Sequence, residues 1–308
     1  MTHLRKVFLP SGAGGGTTGY WDNEWSSVDL TAEERNNRSQ PGVLMRLLND
    51  HVPRNGRILE AGCGASTYSA ALRTPEREMF GVDLAQRTLG RVHTTWPDMH
   101  LATGDVREMP FRSGTFDCVI SLGVVEHMEE GPDQSLQEHA RILAPGAVLL
   151  ISVPWLSAVK SVKDLWWFGI RRRQRYEARR RVITTVKHPG LGTLSMPFHQ
   201  YEYSTSAWHQ ALEAAGLQPI SDHRYLVSAG IGELPARLRR GVSTSPRRPA
   251  TSNEPNVAGA SGLSNRLAAK ARRVLVAEDP SSGFQTAATA TSQHLMAHMI
   301  LTAARRTS

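Results

Sequence analysis

The stretch Ile58-Leu59-Glu60-Ala61-Gly62-Cys63-Gly64-Ala65-Ser66 constrains this chain more than any other. An apolar pair runs into an acid, two glycines follow, and small residues reopen a helix. Such a run reads as a strand that ends in a tight turn and presents a helix N-terminus above it. A dinucleotide-binding turn has a third small residue, where helix packs closely on strand. Here Thr67 stands at that place, β-branched and larger. Glu60 argues the same way, because a carboxylate before the turn repels phosphate and attracts a cationic or hydroxyl-bearing ligand.

Around this turn the chain alternates between strand and helix patterns. Ser39 and Pro41 start a helix with an apolar face of Val43, Leu44, Leu47, Leu48 and Val52. After the turn come a helix over 66–73, a strand over 78–83, a helix over 86–96 and a strand over 99–105. A near-continuous apolar strand over 116–121 suits a sheet covered on both faces. A helix over 134–143 is closed by Ala144-Pro145-Gly146, and a strand over 147–153 follows. Tyr203-Ser204-Thr205 caps a helix over 207–215, ended by Gly216. A strand over 217–227 and a closing strand over 294–304 complete the pattern. Repeated alternation of this kind predicts an α/β fold with a doubly wound, Rossmann-like sheet.

Three acids stand at successive strand ends: Glu60, Asp83 and Asp105. One such acid is commonplace and caps a helix; three beside a Gly turn point to a ligand at the carboxyl edge of the sheet. Asp83 lies 19 residues after Gly64, where a carboxylate can accept both hydroxyls of a ribose. Asp105 is suited to accept from an adenine amine, and Glu60 to meet an ammonium. A ligand with ribose, adenine and ammonium but no phosphate fits this set.

The Glu-x-Gly-x-Gly turn resembles the first motif of class I S-adenosylmethionine (SAM)-dependent methyltransferases. Residues 104–111, Phe116-Asp117-Cys118-Val119-Ile120-Ser121, Val124-Val125-Glu126-His127-Met128 and the turn 141–147 are similar to motifs of their small-molecule members, typified by quinone-biosynthesis enzymes. The resemblance implies SAM as methyl donor, S-adenosyl-L-homocysteine as product and a seven-stranded sheet. It also implies strand order 3-2-1-4-5-7-6 with an antiparallel seventh strand and helices on both faces. By the same resemblance Glu60, Gly62, Cys63 and Gly64 line the methionine part, and Asp83 with Leu84 holds the ribose. Asp105 and Val106 face adenine, and Ser121 and Leu122 lie beneath the methionine part. His127 and His199 are the candidate bases for an oxygen acceptor; the plainer reading of each is a histidine bonded to loop backbone. No metal is implied.

The domain implied spans 40–227 plus 293–308. Residues 1–39 read as a mobile N-terminal segment, in which the aromatics of Tyr20-Trp21-Asp22-Asn23-Glu24-Trp25 form either an anchored loop or a lid. Residues 155–200 read as a basic, aromatic insertion on the acceptor side, and 228–292 as a flexible one. The formal charge of +8 is local: between Lys160 and His188 ten Lys or Arg face two acids, which equals the whole excess. A general nucleic-acid footprint is therefore disfavoured. Beside Trp166, Trp167 and Phe168, the arginines of 156–181 suit either a solvated helix or contact with an anionic membrane. The expected acceptor is a small molecule, a glycan or a lipid-linked molecule, with O-methylation favoured; an RNA acceptor, or SAM binding without transfer, is the alternative. No apolar run approaches the roughly 20 residues of a membrane span. Two cysteines, Cys63 and Cys118, without metal spacing suggest a reducing compartment. The expected location is the cytoplasm, with peripheral contact at the inner membrane face; no protein partner is implied.

Overall fold

The protein is represented by a computed structural model that describes residues 4–8, 18–156, 185–188, 192–195, 198–225 and 299–307, with side chains for 19–156, 200–225 and 299–307. All of these but Arg224 and Tyr225 fall in one compact unit.

In chain order the elements are β1 (Leu4–Phe8), α1 (Thr18–Trp25), α2 (Leu30–Ser39), α3 (Val43–His51), β2 (Gly56–Ala61), α4 (Thr67–Leu72), β3 (Arg77–Asp83) and α5 (Gln86–Thr95). There follow β4 (His100–Thr103), β5 (Phe116–Leu122), a one-turn 3-10 helix (Val125–His127), α6 (Asp133–Ile142) and β6 (Leu143–Pro154). The last are β7 (Thr185–His188), β8 (Gly192–Ser195), β9 (Phe198–Tyr203), α7 (Thr205–Ala214), β10 (Leu217–Tyr225) and β11 (Met299–Arg306).

Seven strands form the main sheet in the order β4-β3-β2-β5-β6-β11-β10. Counted along the chain that is 3-2-1-4-5-7-6, as expected. β2 is parallel to β3 and β5, and β5 to β6, whereas β11 runs antiparallel to β6 from Met299↔Pro154 to Arg305↔Val148. Ile58, Leu59, Cys118, Val119, Ile120, Leu149, Leu150 and Ile151 are all fully buried, which explains why these strands read as unbroken apolar runs. The order of strands reverses between β2 and β5, so their carboxyl ends open a crevice there. Helices cover both faces. α7 begins as expected, with the Ala207 N–H donating to the Ser204 hydroxyl at 3.3 Å.

Four expectations change or are refined. Leu4–Phe8, read as mobile, forms β1 and pairs antiparallel with β9; its Leu, Val and Phe suit a strand. Tyr20–Trp25, read as loop, lies in α1. Tertiary bonds hold that helix rather than propensity: Arg91 donates to the Trp25 carbonyl at 2.8 Å, and Asp22 accepts from the Thr88 N–H at 3.0 Å. The turn expected at Ala144–Gly146 stands as a bulge counted within β6: the register against β5 jumps from Phe116↔Leu143 to Cys118↔Val148, and Gly146 has φ +77°. Within the basic insertion, β7 and β8 pair as an antiparallel hairpin, Thr185↔Ser195 to His188↔Gly192. The amphipathic stretch 157–181, residues 228–292 and the start of the closing strand at 294–298 lie outside the described residues.

Candidate functional site

The turn after β2 is built so that its backbone comes close to its neighbours. The N–H groups of Gly62 and Cys63 both donate to the Val82 carbonyl, at 2.8 and 3.1 Å, tying the turn to β3. Gly62 has φ +73°, and a Cβ there would lie 2.4 Å from Val124 Cγ2. Gly64 has φ +46°, and a Cβ there would lie 2.5 Å from the ring of Trp25. Ser66 also adopts a left-handed conformation, φ 51°, as it leads into α4.

Two buried acids flank this turn. Glu60 is 4% exposed, and its Oε2 makes no hydrogen bond among the described residues. Burial pushes its carboxyl up to about 7; the Ser69 hydroxyl and N–H pull it back in part, and Asp83 adds to the rise. Asp83 Oδ2 accepts from the Gly64 N–H at 2.7 Å, and Oδ1 from the Ala85 N–H at 2.8 Å. One carboxylate therefore fixes both the Gly turn and the entry to α5. Burial raises Asp83 as well, against the pull of those N–H groups, and the nearby Asp22 adds to the rise.

The remaining expected residues fall along the same edge. Leu84 follows Asp83 and is half-buried, and Cys63 is buried with its thiol raised by burial. Asp105 reaches the edge because the Gly104 N–H bonds the Asp83 carbonyl at 3.1 Å. Its carboxylate is already engaged: Arg107 donates to both oxygens, at 2.6 Å from one guanidinium nitrogen, and holds the carboxyl below its ordinary value. Any adenine amine would share Asp105 with Arg107. Val106 is buried, Ser121 is fully buried with an unbonded hydroxyl, and Leu122 is half-buried at the end of β5. The residues expected to hold the cofactor thus gather at the ends of β2, β3, β4 and β5. His127 sits on the 3-10 helix after β5, half-buried, its ring 5.3 Å from that of Trp21. His199 lies on β9, and its side chain is outside the described residues.

The sequence offers Asp22 and Trp25 only as part of an anchored loop or lid, and Glu126 only within the run Val124–Met128, with no role of its own for any of them. The first two bring α1 across the strand ends, with Trp25 on the Gly turn, Asp22 on the start of α5 and Trp21 on His127. Glu126 is 2% exposed, and burial pushes it up to about 8. Only the aromatic cluster at Tyr20–Trp25 gave a signal in the sequence; a glutamate beside a histidine gives none.

The sheet order with its reversed last strand, and an acid-flanked Gly turn at the switch point, define the class I SAM-dependent methyltransferase fold. Residues 59–151 match the family model described as a methyltransferase domain. A Mycolicibacterium smegmatis protein named "Probable S-adenosylmethionine-dependent methyltransferase" is 27% identical over 180 residues, covering 58% of this chain and 59% of that protein. The malonyl-[acyl-carrier protein] O-methyltransferase of Enterobacter lignolyticus is 28% identical over 133 residues, 43% of this chain and 51% of the enzyme. The chain thus spans little more than half the length of these relatives. A solved chain from the Haloferax volcanii complex of the Trm112 methyltransferase activator with a methyltransferase superposes with a TM-score of 0.51. At 14% identity over 94% of this chain and 98% of that one, it shows the fold alone.

The residues present fit the donor. The unbonded Glu60 oxygen and the Asp83 carboxylate offer acceptors to an ammonium and to ribose hydroxyls, and the turn bears no side chain at Gly62 or Gly64. No helix among the described residues is long and apolar enough to cross a membrane, and no cluster of metal-ligating side chains occurs among them.

Proposed function

We propose that the chain transfers the methyl group of SAM to an oxygen of a small-molecule, glycan or lipid-linked acceptor, releasing S-adenosyl-L-homocysteine. The observation that carries this reading is Glu60, buried immediately before the Gly turn with one oxygen unbonded and Asp83 close by. A phosphate-bearing cofactor would meet two acids here, whereas a donor with a cationic end and ribose hydroxyls meets acceptors. Oxygen as the acceptor atom is supported by likeness to an enzyme named as an O-methyltransferase.

In this reading Asp83 orients the ribose, Glu60 attracts the cationic end, and the ends of β5 and the 3-10 helix align the acceptor. Alignment supplies most of the rate in an in-line displacement. His127 and His199 are the candidate proton acceptors from the sequence. Incubation with labelled SAM and a host lysate split into metabolite, lipid, glycan and RNA fractions tests the function. Label in one of the first three supports it. Label in RNA alone, or none, favours an RNA enzyme or a binding protein without transfer; Ser121-Leu122-Gly123-Val124 lacks the Asn/Asp-Pro-Pro-aromatic run that suits amino methylation of a base.

α1 serves as a lid in the same reading. Trp25→Ala should weaken SAM binding by about tenfold, on the order of 1.4 kcal/mol, chiefly through faster release; stopped-flow displacement by unlabelled SAM measures it. Residues 156–181 supply the peripheral membrane contact. Anionic but not neutral liposomes should sediment the protein, salt should release it, and changing Arg171, Arg172, Arg173 and Arg175 to Gln should abolish sedimentation.

A further inference from the structure

A third buried acid stands at the carboxyl edge, without a role in the reading above. Glu126 lies in the 3-10 helix directly after β5, and its Oε2 makes no hydrogen bond among the described residues. The hydroxyl of Tyr203 is likewise buried and unbonded. β9, which carries Tyr203, packs on this helix. Glu126 is the foremost charge acting on Tyr203, and Tyr201 and Asp133 also act on it. Burial raises Glu126 itself, and its own N–H pulls it back in part. Its place in the fold relates it to the donor. Val124, two residues earlier, packs on Gly62, the residue that opens the Gly turn.

We propose that Glu126 takes the acceptor's proton, and that binding of the cationic methyl donor is what ionises it. This rests on the methyl-transfer reading. A carboxyl buried without a cation stays protonated and is a poor base; a positive charge brought close favours its ionised form. SAM carries one more positive charge than S-adenosylhomocysteine, so only the donor arms the base. In the step itself the acceptor O–H proton passes to the Glu126 carboxylate while the acceptor oxygen bonds the methyl carbon. The carbon–sulfur bond breaks, its electron pair stays on sulfur, and the sulfonium charge disappears. Glu126 ends protonated beside a neutral thioether, so no unpaired charge is left in the buried site. His127, set against Trp21, is not needed for the proton.

Calorimetry in two buffers of different ionisation enthalpy counts the protons released on binding. At about pH 7.5 the wild type should release on the order of half a proton or more per SAM, and clearly less with S-adenosylhomocysteine. Glu126→Gln keeps the shape and cannot ionise; it should at least halve the release with SAM, whereas Glu60→Gln should leave the Glu126 share in place. Affinity for SAM should rise with pH up to about 8 in Glu60→Gln and lose that rise when Glu126→Gln is added. Transfer into the fraction labelled above should fall by about a hundredfold or more in Glu126→Gln. Equal proton release in wild type and Glu126→Gln, or unchanged transfer, overturns the role of Glu126 and leaves methyl transfer standing. Failure of the wild type to bind SAM overturns both. If Glu126→Gln no longer binds S-adenosylhomocysteine, infrared difference spectra of Glu60→Gln decide: a protonated-carboxyl band should vanish on SAM addition, and its persistence overturns the proposal.

Discussion

Asp83→Ala should lower affinity for SAM by about ten- to a hundredfold and destabilise the ligand-free domain as well. The affinity loss follows from removing a charge-assisted acceptor for the ribose, about 1.5–3 kcal/mol. The stability loss follows from the two backbone donors that Asp83 holds. Without its carboxylate the N–H groups of Gly64 and Ala85 lose their partners, and a buried unsatisfied donor costs about 1–3 kcal/mol. Asp83→Asn separates the two effects, since one amide oxygen can keep one of these bonds. Calorimetry with SAM, paired with urea unfolding of the free protein, measures both. Undiminished SAM affinity in Asp83→Ala would remove Asp83 from the donor site.

Gly62→Ala should be the most damaging single methyl that can be added to the domain. Two costs coincide there. A left-handed φ costs an alanine roughly 1–2 kcal/mol, and overpacking a well-filled site costs about 1–3 more. The new Cβ would stand 2.4 Å from Val124 Cγ2, so Val124 must move and carry the 3-10 helix with Glu126 and His127. Thermal unfolding should drop by about 2–4 °C per kcal/mol lost, and SAM binding should weaken with it. Gly90→Ala is the control: nothing lies within 4 Å of its added Cβ, it sits inside α5, and helix propensity alone predicts a slight gain. A Gly62→Ala protein as stable as Gly90→Ala would show that the turn is not packed as described.

What could be read from the sequence was whatever local chemistry decides. The strands at the centre of the sheet announce themselves because both faces are covered, so Ile58–Leu59 and Cys118–Ile120 need no polar side. Glu60, the two glycines, Asp83 and Asp105 are legible because their spacing follows from one strand-turn-helix unit repeated. Where distant parts of the chain decide, the sequence is silent. α1 is a helix because Arg91 and Thr88 bond it from α5, more than sixty residues away. Glu126 becomes a buried acid only once β9 lies over it, and nothing in Val-Val-Glu-His foretells that. At Asp105 the structure adds a near neighbour: Arg107 already bonds the carboxylate that spacing reserved for a ligand. Pro145-Gly146 looked like a turn because local signals favour one, and the chain does bulge there: Gly146 has φ +77°, and the pairing with β5 skips from Leu143 to Val148.

The position of β11 has a consequence for how the protein comes into being on the ribosome. This strand sits between β6 and β10, yet residues 226–298 separate it from β10 in the chain. While those residues are being translated, β6 has no partner on that side, and its row of N–H and C=O groups, including those of Leu149 and Ile151, invites pairing with any other extended segment. β10 cannot join the main sheet until the strand that carries it there has been made. A nascent chain arrested before Met299 should therefore be sensitive to protease across β10 and α7 and prone to aggregate, and release of the finished strand should end both at once. The ends of β2, β3 and β4, where most of the proposed donor site stands, lie on the other flank and can be assembled well before that moment.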